Sequence, residues 1–143
     1  MKGKKTLTLK DVLEPDNGVD PKHFVSERMQ KKFLSRIKHI PDGLTIWHEN
    51  KSGNVGVHPY SCALRAGASY NYLTVNGKRR LTPRENLRLQ GFPDNYKIVV
   101  TDSAVRKQAG NSVPVPMIEA VASCMMEALG KDPLPRISDM KLL

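Results

Sequence analysis

Three stretches of the chain concentrate side chains able to do chemistry. In RRLTPRENLRLQGFPDNY, Arg79–Tyr96, Arg84 offers a planar guanidinium fork suited to bidentate recognition, and Glu85 stands three residues after Thr82. That spacing makes Glu85 a capping-box carboxylate before it makes it a catalytic acid. Ten residues on, KQAGNSVPVPMIEAVA sets a carboxamide beside a hydroxyl at Asn111 and Ser112, although Gly-Asn-Ser taken alone is ordinary turn chemistry. In HPYSCALRAG, His58–Gly67, Ser61 supplies another hydroxyl, Arg65 a fork that fits a guanine edge or a phosphate, and Gly67 permits close backbone approach. His58 and Cys62 make two ligands where structural zinc needs four, and the glycine and proline nearby argue against a helix that would align them. No metal site is expected.

The elements that must hold these residues are legible in outline. Leu7, Leu9, Val12 and Leu13 form a short apolar segment ending at Pro15-Asp16-Asn17-Gly18, and Met1–Lys5 ahead of it reads as a mobile basic tail. Apolar positions from Phe24 to Ile40 recur at spacings of three to five, which predicts a helix with Ser26 as N-cap. Leu44 to Thr74 alternates short β-prone runs with Gly, Asn and Ser, the pattern of a small irregular sheet, and Val75-Asn76-Gly77-Lys78-Arg79 carries the strongest short hairpin signal. Thr82, Pro83 and Glu85 start a short helix that Gly91 and Pro93 stop. A longer one starts at Pro116 and presents Ile118, Val121, Ala122, Met125 and Leu129 on one face, with Gly130 as its stop and a loose tail from Lys131. Cys124 belongs to that helix and is expected to pack as a small hydrophobe.

The chain has 143 residues, enough for one domain or a substantial piece of a larger one. Its 23 Lys+Arg against 14 Asp+Glu give a net charge of +9, which favours a polyanionic partner, nucleic acid first. No apolar run long enough to span a bilayer and no secretory leader pattern is visible, so a soluble, cytoplasmic chain without a membrane partner is expected. Its two cysteines, far apart in unlike contexts, predict reduced thiols. Aromatic residues at 6%, with neither an RNP-like nor a GXXG pattern, speak against a basic RNA-binding domain.

The second and first of these stretches together resemble the last two sequence motifs of the DNA (cytosine-5) methyltransferase family. Pro83, Arg84, Glu85, Leu89, Gln90, Gly91, Phe92, Pro93 and Asp94 match the penultimate motif, and Gly110, Asn111, Ser112, Val113 and Pro114 the final one. Leu9–Glu14 and Phe24–Glu27 resemble the start of the family's target-recognition region. The resemblance implies a reaction on a cytosine flipped out of double-stranded DNA. In that reaction a thiolate adds to carbon 6, a methyl group passes from S-adenosylmethionine to carbon 5, and elimination restores the base.

It also implies roles. Asn111, Ser112 and Val113 would line the S-adenosylmethionine pocket. Arg84 would organise the recognition region by bonding to its backbone, with Glu85 as the cap beside it. The recognition segment would use Ser61, Leu64, Arg65 and Gly67, where Ala63-Leu64 replaces the family's Thr-Leu pair and Ser61 stands in for the hydroxyl. Lys78, Arg79 and Arg80 would meet DNA, and these, with Lys51, Arg88, Arg106 and Lys107, read as phosphate contacts or solvated charge rather than base readers.

Departures from the pattern set the rest of the expectation. The family's nucleophile follows a proline, but Cys62 follows Ser61 and Cys124 follows Ser123; the Phe-x-Gly-x-Gly, Glu-Asn-Val and Gln-x-Arg-x-Arg segments are missing as well. No catalytic residue is therefore assigned within the chain. The expected architecture is α+β: residues 1–6 a basic tail, 7–78 a target-recognition region, 79–130 C-terminal helices with the last two motifs, and 131–143 a loose tail. These helices would complete a Rossmann-like catalytic domain on another chain. Starting with its own Met, the chain reads as the small subunit of a split prokaryotic restriction-modification enzyme whose larger subunit carries the Pro-Cys nucleophile, with apolar faces left exposed on the last two helices in that partner's absence. A truncated piece of a longer chain, a non-catalytic DNA-binding module and an inactive remnant are the alternatives.

Overall fold

The structure, a computed structural model, describes residues 7–132 and residue 135. The expected tails, residues 1–6 and, Pro135 apart, the stretch beyond 132, lie outside the described residues. A one-turn helix α1 (Leu9–Val12) and two 3-10 turns (Asp16–Gly18, Pro21–His23) lead into α2 (Glu27–Leu34). Strands β1 (Ile46–Glu49), β2 (Val55–His58), β3 (Leu73–Val75) and β4 (Arg79–Arg80) follow, then helices α3 (Pro83–Leu89), α4 (Asp102–Asn111) and α5 (Val115–Ala128). Among the described residues no helix is long and apolar enough to cross a membrane.

Local chemistry accounts for most of these boundaries. Ser26 Oγ accepts the Met29 N–H at 3.4 Å to start α2, which stops at Leu34, short of the Ile40 that periodicity suggested. Beyond it Ser35 Oγ donates to Lys32 O, and Arg36 leaves to bond Glu49 and the Gly53 carbonyl, so tertiary contacts end the helix. The Thr82 capping box forms as expected: the Glu85 N–H donates to Thr82 Oγ1 at 3.2 Å and the Thr82 N–H to Glu85 Oε2 at 2.7 Å. Helix α4 was not expected. Thr101 caps it by accepting from the Ala104 N–H, and Val105 and Ala109, four apart, are buried.

The sheet is antiparallel in the order β2-β1-β3-β4, with Ile46 facing His58 on one side and Val75 on the other. Asn76 and Gly77 form the β3–β4 turn with φ of 48° and 65°, and the Lys78 N–H closes it onto Val75 O at 2.9 Å. The turn is locked from behind: Asn76 Oδ1 accepts from both Thr45 N and Thr45 Oγ1 at 2.8 Å, and a Cβ on Gly77 would overlap the Trp47 ring. The core gathers Leu9 and Leu13 of the leading segment with Ile46, Tyr72, Leu73, Val75 and Leu81. Residues 78 and 79, the expected meeting point of recognition region and C-terminal helices, are therefore adjacent positions of one hairpin.

Candidate functional site

The opening of the Arg79–Tyr96 stretch is a buried ionic hub. Arg79, 1% exposed, donates from Nη1 and Nη2 to the two oxygens of Glu85, which is 0% exposed, at 3.0 and 2.9 Å. Its Nε donates to Asp16 Oδ1 at 2.6 Å and Nη2 also to Glu14 O at 2.8 Å, while Glu85 Oε1 accepts the Glu14 N–H. Burial opposes the charge on Arg79, but the bonds to Glu85 and Asp16 outweigh it and hold the guanidinium protonated. The chain after α1 is tied at this point to the hairpin strand β4 and the start of α3, more than sixty positions further along.

That geometry corrects three assignments. Arg79 faces inward, away from solvent; it, and not Arg84, bonds to the backbone of the leading segment, at Glu14 O. Arg84 instead donates to Tyr96 O at 2.9 Å and Pro93 O at 3.4 Å, bracing the loop after its own helix. Arg80 is engaged within the fold, bonded to Asn71 Oδ1 and Lys22 O and lying 4.4 Å over the Tyr70 ring, rather than free for DNA. Two other arginines read as phosphate contacts or solvated charge are also engaged: Arg88 makes paired bonds to Asp94 at 2.7 and 3.0 Å, which hold the Asp94 carboxyl below its ordinary range, and Arg106 bonds Ala68 O.

The His58–Gly67 segment keeps most of its expected polarity. Arg65 is exposed, its N–H donates to Tyr72 Oη at 2.8 Å, and its guanidinium lies 5.3 Å from the Tyr72 ring centre. Burial pushes the Tyr72 phenol up, so it stays neutral and holds the loop. Arg65 and the exposed Gly67 face Lys32, Arg36 and Lys51 across an open depression of about 660 Å³, where Glu49 pairs with Lys32 at 2.6 Å and Arg36 at 3.2 Å. Lys78 is exposed at the hairpin turn. Ser61 is half-buried with its hydroxyl donating to Cys62 O, and Leu64 packs against the core, so the structure turns Leu64 toward the fold rather than outward. Among the described residues no group of His, Cys, Asp and Glu could hold a metal ion.

The two motif stretches meet through Gln90. Its Nε2 donates to Ala109 O at 2.7 Å and Ser112 O at 3.4 Å, and its carbonyl accepts the Val115 N–H at 2.8 Å, fixing the corner between α4 and α5. Asn111 therefore ends a helix rather than sitting in a free turn. Its side chain is exposed without a hydrogen-bond partner among the described residues, Ser112 Oγ donates to Ala109 O at 2.9 Å and keeps its acceptor capacity, and Val113 is 47% exposed. A cavity of about 340 Å³, lined by Leu87, Phe92, Ile98, Val105 and Ala109, opens beside Ser112. No residue of α5 is buried, and Val121 and Met125 are more than half exposed. Cys124 is exposed too, against the expectation that it packs, because no described residue lies over that part of the helix.

Gln90, Trp47, Tyr72 and Arg106 are the residues whose roles escaped the sequence reading. Only Gln90 had a signal, its place within the matched motif; the others act through partners far along the chain.

Comparison with known proteins places the chain in a family. A family model described as C-5 cytosine-specific DNA methylase matches residues 4–127. The chain is 59% identical over 112 residues to the type II methyltransferase M.NgoBI of Neisseria gonorrhoeae, covering 78% of the chain and 35% of that protein. It is 54% identical over 121 residues to M.HaeII of Haemophilus aegyptius, covering 85% and 38%, and 33% identical over 129 residues to M.DsaV of Dactylococcopsis salina, covering 85% and 35%. It thus spans little more than a third of the length of these relatives. With its matched motifs and the family model running over most of its residues, the chain belongs to the C-5 cytosine-specific DNA methylase family.

Proposed function

We propose that this chain is the DNA-recognition and cofactor-closing portion of a DNA (cytosine-5) methyltransferase of a restriction-modification system, acting on a flipped cytosine in double-stranded DNA. The catalytic half, with the Pro-Cys nucleophile, lies on a larger separate subunit. The observation that carries this reading is the apolar face of α5 near the Asn111–Ser112 pair, which no described residue buries: Ile118, Val121 and Met125 are each 50% exposed or more, a surface suited to docking another domain.

The residues present suit S-adenosylmethionine, which supplies the methyl group in this family. The Asn111 carboxamide and Ser112 hydroxyl stand at the C-terminal end of α4, where the helix carries partial negative charge and favours a cationic ligand end. Asn111, Ser112 and Val113 would form one wall of the pocket. Lys78, Arg65 and the basic depression with Lys32, Arg36 and Lys51 would meet the duplex, with most contacts on phosphates.

The test mixes the chain with its candidate large subunit, methyl-labelled S-adenosylmethionine and duplex DNA. Label should enter DNA only when both are present; transfer by the large subunit unaided would overturn the split arrangement. An Asn111→Ala chain that left the cofactor affinity of the assembled enzyme unchanged would overturn the pocket assignment. A stand-alone DNA-binding module has less support, because such a module would not expose the face of α5.

A further inference from the structure

Helix α4 grips the recognition segment at two points. At its C-terminal end Gly110 lies against the Arg65–Ala66 backbone: a Cβ there would collide with Ala66 N and stand 2.7 Å from the Arg65 carbonyl carbon. Only glycine allows that approach. One turn earlier, Arg106 Nη1 donates to Ala68 O at 3.0 Å and Ser69 O at 3.5 Å, and its guanidinium lies 5.3 Å from the Tyr70 ring centre, a ring that Arg80 also covers. Gly110 directly precedes Asn111 and Ser112. One helix therefore carries the candidate cofactor groups at its end and holds the backbone of loop 65–69, of which Arg65, Gly67, Ala68 and Ser69 wall the basic depression.

We propose that Arg106 and Gly110 are positioning residues: they clamp loop 65–69 so that Arg65 is presented to DNA at a set distance from the cofactor end of α4. The proposal rests on reading the chain as the recognition part of a methyltransferase. Tyr72 Oη holds Arg65 from the front through the Arg65 N–H, and α4 holds the following residues from behind. A loop ordered before binding loses less conformational freedom on the duplex, and a guanidinium fork discriminates bases only while it stays aligned with both acceptors of a guanine edge. The clamp contacts backbone at Ala66 and Ala68, so it sets the path of the loop whatever side chains the loop carries.

The experiment uses the assembled enzyme, with its site first mapped by methylation-sensitive digestion. Binding to a labelled cognate duplex and to one with a single altered pair is titrated at fixed salt, and amide hydrogen exchange is followed in the free enzyme. For Arg106→Gln, cognate affinity should fall roughly tenfold and mismatched affinity stay within about twofold, the pattern of lost base readout. The KM for S-adenosylmethionine should be unchanged, and amides of residues 65–69 should exchange faster while those of α4 do not. Arg106→Lys, which can still donate to Ala68 O, should recover most of the discrimination. Unchanged discrimination in Arg106→Gln, or an equal loss on both duplexes, overturns the clamp. A wild-type enzyme that fails to separate cognate from mismatched DNA overturns instead the functional reading beneath it.

Discussion

Replacing Arg79 by Met tests the hub at its centre. In the native protein the Glu85 carboxylate, wholly buried, accepts two bonds from Arg79 and one each from the Thr82 and Glu14 N–H groups. The methionine keeps most of the aliphatic volume but leaves that carboxylate charged and facing only two neutral donors. Breaking a buried pair from one side costs about 3–5 kcal/mol, because the surviving charge stays desolvated. For a domain of this size each kcal/mol moves the melting midpoint by about 3–5 °C, so a fall of roughly 10–25 °C is expected. A second change decides whether the surviving charge is the cause. Glu85→Gln removes the charge and keeps an oxygen for the backbone donors, so the double variant should be less destabilised than the sum of the singles by about 1–3 kcal/mol. Urea denaturation followed by circular dichroism gives all three values. A single Arg79→Met variant within about 1 kcal/mol of wild type, or strict additivity in the double variant, would refute the hub as the joint between the sheet and the C-terminal helices.

Three further outcomes are expected. Burial, opposed in part by Asp102, holds the His23 imidazole below its ordinary 6.5, so the unfolded chain binds the extra proton first; stability should fall as pH drops below about 6.5, and His23→Gln should flatten that slope in melts between pH 7.5 and 5.5. In salt titrations of DNA binding, Lys78→Ala should lower the log-log slope by about one, and Arg79→Met, whose side chain is buried, should leave it unchanged. Val121→Glu with Met125→Glu, four apart on the exposed face of α5, should alter the stability of the chain by no more than about 0.5 kcal/mol per site yet abolish co-purification with the large subunit; retained assembly would show that this face is not the docking surface.

Much of this protein follows from local pattern. Thr82, Pro83, Glu85 and Gly91 delimit α3 by capping rules that act within one turn, and Asn76-Gly77 sets the β3–β4 hairpin because both residues tolerate positive φ. The Gly-Asn-Ser and Leu-Gln-Gly-Phe-Pro-Asp strings carry the family likeness for the same reason: each is a compact local signal. What tertiary structure alone decided is the destination of the charges. Nothing near Arg79 in sequence distinguishes it from Lys78, yet Arg79 on β4 points inward to carboxylates at Glu85 and Asp16 while Lys78, in the turn before it, is exposed, since only the packed sheet determines which positions are buried. Helix α4 had too few apolar residues to announce itself, and it is held by burial of Val105 and Ala109 and by Gln90 reaching across from α3. The meeting of Gly110 with Arg65 and Ala66 joins residues more than forty positions apart, a proximity that no periodicity along the chain encodes.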